Sequence, residues 1–317
     1  MLINRTLRMI TVLAATFTVA LSGTVAASAS AAPAGESKPK TNRQLLYFNH
    51  AYSVVDKETA DAVENSEYLR NFANFEVRTT TGGGLTWKGR YLKGRETYLE
   101  LFSEGDLPGQ DAEFGSAGLG VSAEIAGDLG TVTQRLKDSG IAEPFPYRQT
   151  RDFGDGVKVP WFDTIRTTGE QYDAFDPWGM EYLPEYFADP RGQTEPESFP
   201  GDVGRERYLP DDYADHLMRD VTYIRIGVPA RDLANTLPLL RAGGFEIKSL
   251  SNGGAIAEGG GTRIVLDSVD RQRAGLKQVQ LSLNRSLPVM TEKRIGRSTL
   301  SVGPGARAVW SFDPRPA

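Results

Sequence analysis

The chain has no cysteine and only two histidines, His50 and His216, in 317 residues. The missing cysteine excludes disulfides, thiolate nucleophiles, cysteine-ligated metal clusters and a lipidated N-terminal cysteine. With two histidines and no G-x-S-x-G elbow, a Ser-His-Asp triad has little material to work with. The glycine runs at 82–84 and 259–261 lack the lysine and hydroxyl residue of a P-loop and read as loops between strands. No basic run is present either. Only one apolar run approaches the length of a membrane span, "MITVLAATFTVALSGTVAA" at 9–27.

That run follows Arg5 and Arg8 and precedes the small-residue stretch "ASASAAP", the order of a secretory signal peptide, whereas an uncleaved anchor would have no need of the alanines. The expectation is a signal peptide over 1–31 and a secreted, extracellular protein with no membrane association after cleavage. Without the leader, 34 basic residues face 41 acidic ones, a net charge of −7. An acidic chain without a basic cluster is a poor partner for nucleic acid or an anionic membrane. A small molecule is the expected partner, and the oligomeric state stays open.

Residues 32–42, "APAGESKPKTN", read as a flexible lead-in. The stretch "ADPRGQTEPESFPGDVGRERYLPDD" at 188–212 is rich in proline, glycine and charge, and reads as a linker or long surface loop. The expected units are therefore 43–190, a linker over 191–217, and 218–317. Within them the pattern strand, helix, three strands recurs. It starts at "LLYFNHAYSVV", with Asp56 capping one helix over "KETADAVENSEYLRNFANF". It starts again at "GLGVSAEIAG", with Asp128 as a possible cap. The third start is "VTYIRIGV", followed by "ARDLANTLPLLRAGG", where Pro238 predicts a kink. The fold class is thus α+β, built of repeated βαβββ modules.

Strand alternation places Phe48, His50, Tyr52 and Val54 on one face. Glu100 shares a face with Tyr98 and Phe102 in "TYLELF". Glu181 shares one with Gly179 and Leu183 in "WGMEYL". A carboxylate inside an apolar strand is costly unless bonded, neutralised or bound to a cation. A divalent metal would satisfy one imidazole and two carboxylates and leave positions for water or substrate. The plainer account is a hydrogen-bonded strand histidine with solvent-facing acids. His216, among acids, reads as a surface residue. Trp161, Phe162, Phe175, Trp178, Tyr182 and Tyr186 supply core packing, an aromatic wall for a ring-containing ligand, or both.

A βαβββ repeat with a histidine in its first strand and an acid in a "YLEL"-type last strand resembles the vicinal oxygen chelate superfamily of glyoxalases, extradiol dioxygenases and bleomycin-resistance proteins. The resemblance implies two modules paired as an open cup-shaped sheet, with a third, degenerate module appended as a wall or lid. It also implies His50, Glu100 and Glu181 as ligands of a divalent metal, with Glu100 or Glu181 as catalytic base. The remaining ligand position falls near Leu119 or Gly120, neither of which can ligate through its side chain, and Tyr223 stands where a third-module histidine would fall. One histidine with two glutamates suits Mn²⁺, Zn²⁺, Ni²⁺ or Mg²⁺ better than Fe²⁺. By this resemblance the protein is glyoxalase-like: a metal-dependent lyase, isomerase or ring-opening enzyme acting on a small oxygenated molecule. The alternative is a non-catalytic binder of a metabolite or antibiotic. A third class, a structural or interaction module, applies if side chains fill the cup. The whole chain also resembles an uncharacterised secreted bacterial family.

Overall fold

The computed structural model describes residues 43–314, and the expected signal peptide and lead-in lie outside the described residues. The first half runs β1 (Leu46–Val55), α1 (Lys57–Glu64), α2 (Glu67–Phe72), β2 (Asn74–Gly82), β3 (Leu85–Lys93) and β4 (Tyr98–Ser103). It repeats as β5 (Ala117–Ala123), α3 (Asp128–Asp138), β6 (Phe145–Asp152), β7 (Lys158–Arg166) and β8 (Phe175–Tyr182). Asp56 caps α1 as expected, its carboxylate accepting the Thr59 N–H at 2.9 Å. The single helix expected there is two. Ser66 accepts the Leu69 N–H at 3.2 Å and starts α2 afresh, because a serine that competes for backbone N–H groups favours a new N-terminus over helix interior.

These eight strands form one sheet in the order β1-β4-β3-β2-β6-β7-β8-β5, with β5 returning to β1. The expected open cup is therefore closed. The closure rests on a short antiparallel contact between β2 and β6, Thr81↔Asp152 and Gly82↔Arg151. At the opposite seam β1 runs antiparallel to β5, with His50 opposite Gly120 and Tyr52 opposite Gly118.

After the short helices α4 (Pro184–Ala188) and α5 (Arg205–Tyr208), the chain enters β9 (Met218–Val228), α6 (Ala230–Gly243), β10 (Glu246–Ser249), β11 (Ala255–Gly259) and β12 (Thr262–Ser268). Then come β13 (Gly275–Leu287), β14 (Thr291–Ile295), β15 (Ser298–Val302) and β16 (Gly305–Phe312). Their order, β10-β11-β12-β9-β13-β16-β15-β14, is the order of the first sheet cut open between β2 and β6. Residues 218–312 thus hold a third βαβββ unit and four further strands that occupy the place of a fourth. The fourth set has no helix between β13 and β14. A crossover helix reverses the chain once, which is why β5 and β8 are parallel. Without it the parity changes, and β13 pairs antiparallel with β16.

One hydrophobic core joins the two sheets. Leu46 and Phe48 of β1, Leu136 of α3, Leu239 and Leu240 of α6, Ile224 of β9 and Trp310 of β16 are all fully buried within it. Helix α6 continues through Pro238, because burying Leu233, Thr236, Leu239 and Leu240 on one face outweighs the lost hydrogen bond. The proline-rich stretch 188–212 is irregular yet anchored. Arg205 is buried, donates to the Phe48 carbonyl at 2.6 Å, and pairs with Glu96 and Glu124. Tyr208 follows and stacks on Tyr182 at 4.2 Å. No described helix is long and apolar enough to cross a membrane.

Candidate functional site

The interior of the closed barrel holds a cavity of about 260 Å³, whose walls include His50, Tyr52, Trp87, Glu100, Trp161 and Trp178. Its polar pole comes from neighbouring strands. Parallel pairing sets Tyr52 beside Glu100 and His50 beside Tyr98, so His50 and Glu100 stand one diagonal step apart on the inner face. His50 Nε2 lies 3.9 Å from Glu100 Oε1, too far for a hydrogen bond but close enough for one atom to bridge them.

His50 is 6% exposed, stacked on Tyr98 at 4.4 Å and edge-on to Trp178 at 5.2 Å. Its Nδ1 lies 2.7 Å from Asn49 Oδ1. Asn49 Nδ2 donates to Ser122 Oγ at 2.9 Å, and its Oδ1 is the acceptor facing the imidazole. The proton therefore sits on Nδ1, and Nε2 presents a lone pair towards Glu100. Burial pushes the His50 pKa down to about 3, so the ring is neutral at physiological pH. Burial also pushes Glu100 up to about 7, against the pull of Arg78 and the Tyr98 hydroxyl. With His50 neutral, the two are not an ion pair.

The ring fits because β5 has glycine opposite it. A Cβ on Gly120 would lie 2.8 Å from His50 Cε1, and one on Gly118 would lie 2.1 Å from Tyr52 Cε1. The position that the resemblance reserves for another ligand is thus occupied by the His50 and Trp178 rings.

Glu181 is not in the cavity. Along β8, Asp176 and Trp178 line the barrel interior, and the two-residue period sends Glu181 to the outer face. There its carboxylate accepts the N–H groups of Gly127 at 2.9 Å and Leu129 at 3.0 Å. These are orphan donors at the N-terminus of α3, where a negative charge also meets the positive end of the helix dipole. Glu181 does the capping expected of Asp128, which instead bonds Arg43. The expected ligand set His50, Glu100 and Glu181 is therefore corrected to His50 and Glu100, because Met180 and not Glu181 shares the inner face. Among the described residues no three histidine, aspartate or glutamate side chains converge on one point. Two donors fall short of the three or four that hold a catalytic or structural zinc, and further short of the oxygen shell of magnesium, so the residues present do not fit a resident ion.

Sequence reasoning missed the other polar groups of the cavity. Asp111, from the loop after β4, accepts the Tyr52 hydroxyl at 3.0 Å and the Tyr172 hydroxyl at 2.7 Å. Asp176 is bound by Arg166 through two hydrogen bonds of 2.7 Å. The parity of Trp178 was the available signal for Asp176; nothing in the sequence around Asp111 pointed inward. The indole N–H groups of Trp161 and Trp178, both in the cavity wall, are buried without a hydrogen-bond partner.

The model of a family of unknown function (DUF5829) matches residues 48–312. The chain belongs to that family. The matched span takes in both sheets and every cavity residue named above, and membership supplies no activity. No curated protein matches the chain. Among solved structures, a Mn(II)-bound glyoxalase from Novosphingobium aromaticivorans is similar at 9% identity, covering 83% of this chain and 80% of that one, with a TM-score of 0.36. BphC, a halotolerant catechol dioxygenase, is similar at 10% identity over 86% of this chain and 87% of its own, with a TM-score of 0.40. A xylose isomerase-like TIM barrel/4-hydroxyphenylpyruvate dioxygenase fusion protein matches at 11% identity and a TM-score of 0.37, over 73% of this chain. The chain spans 33% of that protein's length. At these TM-scores the likeness lends no activity to this chain.

Proposed function

We propose that the barrel cavity binds a small, ring-containing, oxygenated molecule, and that it does so without a resident metal. The observation that carries this reading is the pairing of an apolar aromatic wall with unspent polar capacity. The indole N–H groups of Trp161 and Trp178 are buried within that wall without partners, an unmet donor capacity. His50 Nε2 is free to accept a ligand hydroxyl. The 260 Å³ volume suits a molecule of one ring with substituents. On this reading residues 43–190 are the ligand-binding unit and 218–317 supports it, in a protein working outside the cell.

One observation favours catalysis over simple binding. A carboxyl group titrating near 7 is poised to take a proton from a weak acid and return it, the requirement of a general acid–base residue. In its ionised form Glu100 removes the proton; neutral His50 accepts a hydrogen bond from the same ligand and orients it. An isomerase or lyase of proton-transfer type is the chemistry such a pair serves.

The test is tryptophan fluorescence, since Trp87, Trp161 and Trp178 all line the cavity. Neutral ring compounds such as phenol, catechol and cyclohexanone are titrated into wild type, Trp178→Ala and Glu100→Gln. Saturable quenching in wild type, lost in Trp178→Ala and weakened about tenfold in Glu100→Gln, is expected from one lost charge-assisted hydrogen bond. Quenching that is linear in every protein would overturn the reading.

A further inference from the structure

The same barrel has a second cavity at its other end. On β3, Leu85 and Trp87 line the His50 cavity, whereas Tyr91 and Lys93 line this one. On β6, Tyr147 and Gln149 line the first and Arg151 the second. Tyr98 reaches both. The second cavity has a volume of about 390 Å³.

Its charge is unbalanced. Four cations line it, Arg78, Lys93, Arg151 and Arg191, against one acid, Glu76. Glu76 is shared by Arg78 at 3.2 Å and Lys93 at 3.1 Å. Arg191 is neutralised elsewhere, by Asp155 and Asp189. Arg151 is left. It is 9% exposed, its guanidinium lies over the rings of Phe153 at 4.9 Å and Trp161 at 5.1 Å, and its side-chain hydrogen bond goes to the neutral phenol of Tyr186. Glu76 feels its charge only at longer range, and no carboxylate among the described residues forms an ion pair with it. A guanidinium cannot shed its proton to escape burial, so an unpaired one is costly unless an anion arrives. Arg78 and Lys93 share Glu76, Glu100 pulls on Arg78 from the other cavity, and Arg151 has no carboxylate, which leaves room for a ligand of charge −1.

We infer that this end of the barrel binds the oxyanion group of a small organic molecule, a carboxylate or a phosphate, gripped by Arg151, Arg78 and Lys93 and walled by Tyr91, Tyr186 and Tyr208. The guanidinium fork matches the two oxygens of either group, and the phenol rings flank whatever carries them. The site is separate from the His50 cavity: neutral ring compounds belong there, anionic ones here.

Isothermal titration of the full chain tests this with four probes: inorganic phosphate, phenyl phosphate, benzoate and neutral benzyl alcohol. The two ring-bearing anions should bind wild type with an affinity that added salt weakens, whereas benzyl alcohol, a ligand for the His50 cavity, should bind wild type and both variants alike and without salt dependence. If phenyl phosphate is preferred the ligand is a phosphate ester; if benzoate, a carboxylate. Arg151→Gln should cost at least tenfold in affinity and Lys93→Gln about threefold, while the phenol response of the His50 cavity is unchanged in both. Arg151→Gln removes a buried unpaired charge, so it should also melt no lower than wild type in phosphate-free buffer, and phosphate should raise the melting temperature of wild type most, of Lys93→Gln less and of Arg151→Gln least. Anions that fail to bind wild type, bind it without salt dependence, or bind wild type and both variants equally would overturn the assignment.

Discussion

The chain builds the same strand order twice and uses the two copies differently. In the first sheet β2 meets β6 and the sheet closes, so both of its faces are covered: the outer one by helices, the inner one by its own side chains. In the second, β10 and β14 are ends without a shared ladder, and alternation is that of a one-faced sheet. Ile224 and Ile226 of β9 are buried in the common core, while Arg225 between them is exposed. Ionisable groups are buried in both halves, but Asp232 and Asp267 of the second are bonded, to backbone N–H groups and to Arg225. His50, Glu100, Arg90 and Arg151 sit within the closed sheet, where low dielectric moves proton affinities and unpaired charge demands a partner. In the second sheet exposed Arg225 meets buried Asp267, and exposed Lys248 meets half-buried Glu258. Closure, more than strand order, makes a chemical site.

The largest expected effect of breaking this contrast is at Glu100. Its folded pKa of about 7 lies above the ordinary 4.5, so its contribution to stability is present below 4.5 and lost as pH rises through 7. His50 has the opposite sign: held near 3 against an ordinary 6.5, its contribution is present above 6.5 and lost as pH falls towards 3. Between about 4.5 and 6.5 the two slopes cancel, and stability should be flat. Glu100→Gln removes the alkaline limb and should exceed wild type by up to about 3 kcal/mol at pH 8, at about 1.4 kcal/mol per unit of pKa. Urea unfolding at pH 5 and pH 8 measures this; equal stability of the two proteins at both pH values would contradict the burial of an ionisable Glu100.

Gly120→Ala attacks the seam that admits the imidazole. The added methyl meets His50 at 2.8 Å, and overpacking of this kind costs about 1–3 kcal/mol. Neutral ring compounds should cease to quench tryptophan fluorescence in this variant. Glu181→Ala should cost about 1 kcal/mol through the lost cap of α3 and leave ring-compound affinity unchanged, which separates a capping residue from a site residue. No larger effect is expected in the second sheet. Tyr223→Ala, at the half-buried position matched to a first-strand histidine, should cost about 1 kcal/mol and leave both cavities intact, by equilibrium unfolding and the same titrations.

Much of this is legible in the sequence. Strand periodicity and the Asp56 cap locate β1 and α1, and alternation sets His50 with Tyr52, and Glu100 with Tyr98 and Phe102; a bulge between Phe48 and His50 turns Phe48, expected on the same face, into the common core instead. What is not legible has physical causes. Glu181 differs from Met180 by one residue, and a period of two turns that step into opposite faces. Barrel closure depends on two residue pairs between β2 and β6, distant in sequence and without a pattern of their own. The four strands after β12 are visible as a β-rich tail. Their role as a fourth unit is hidden because the crossover helix, the element that marks each of the other units, is missing. Arg151 cannot be singled out, since only the fold separates it from every carboxylate.

The most direct test of the central claim is the metal content of the protein purified without chelators, wild type beside His50→Ala and Glu100→Gln. The two-donor cavity predicts far less than one ion of Mn, Zn, Ni, Mg or Fe per chain in wild type, with no rise in melting temperature when these are added. One ion per chain in wild type, lost in both folded variants, would contradict that claim and make His50 and Glu100 metal ligands.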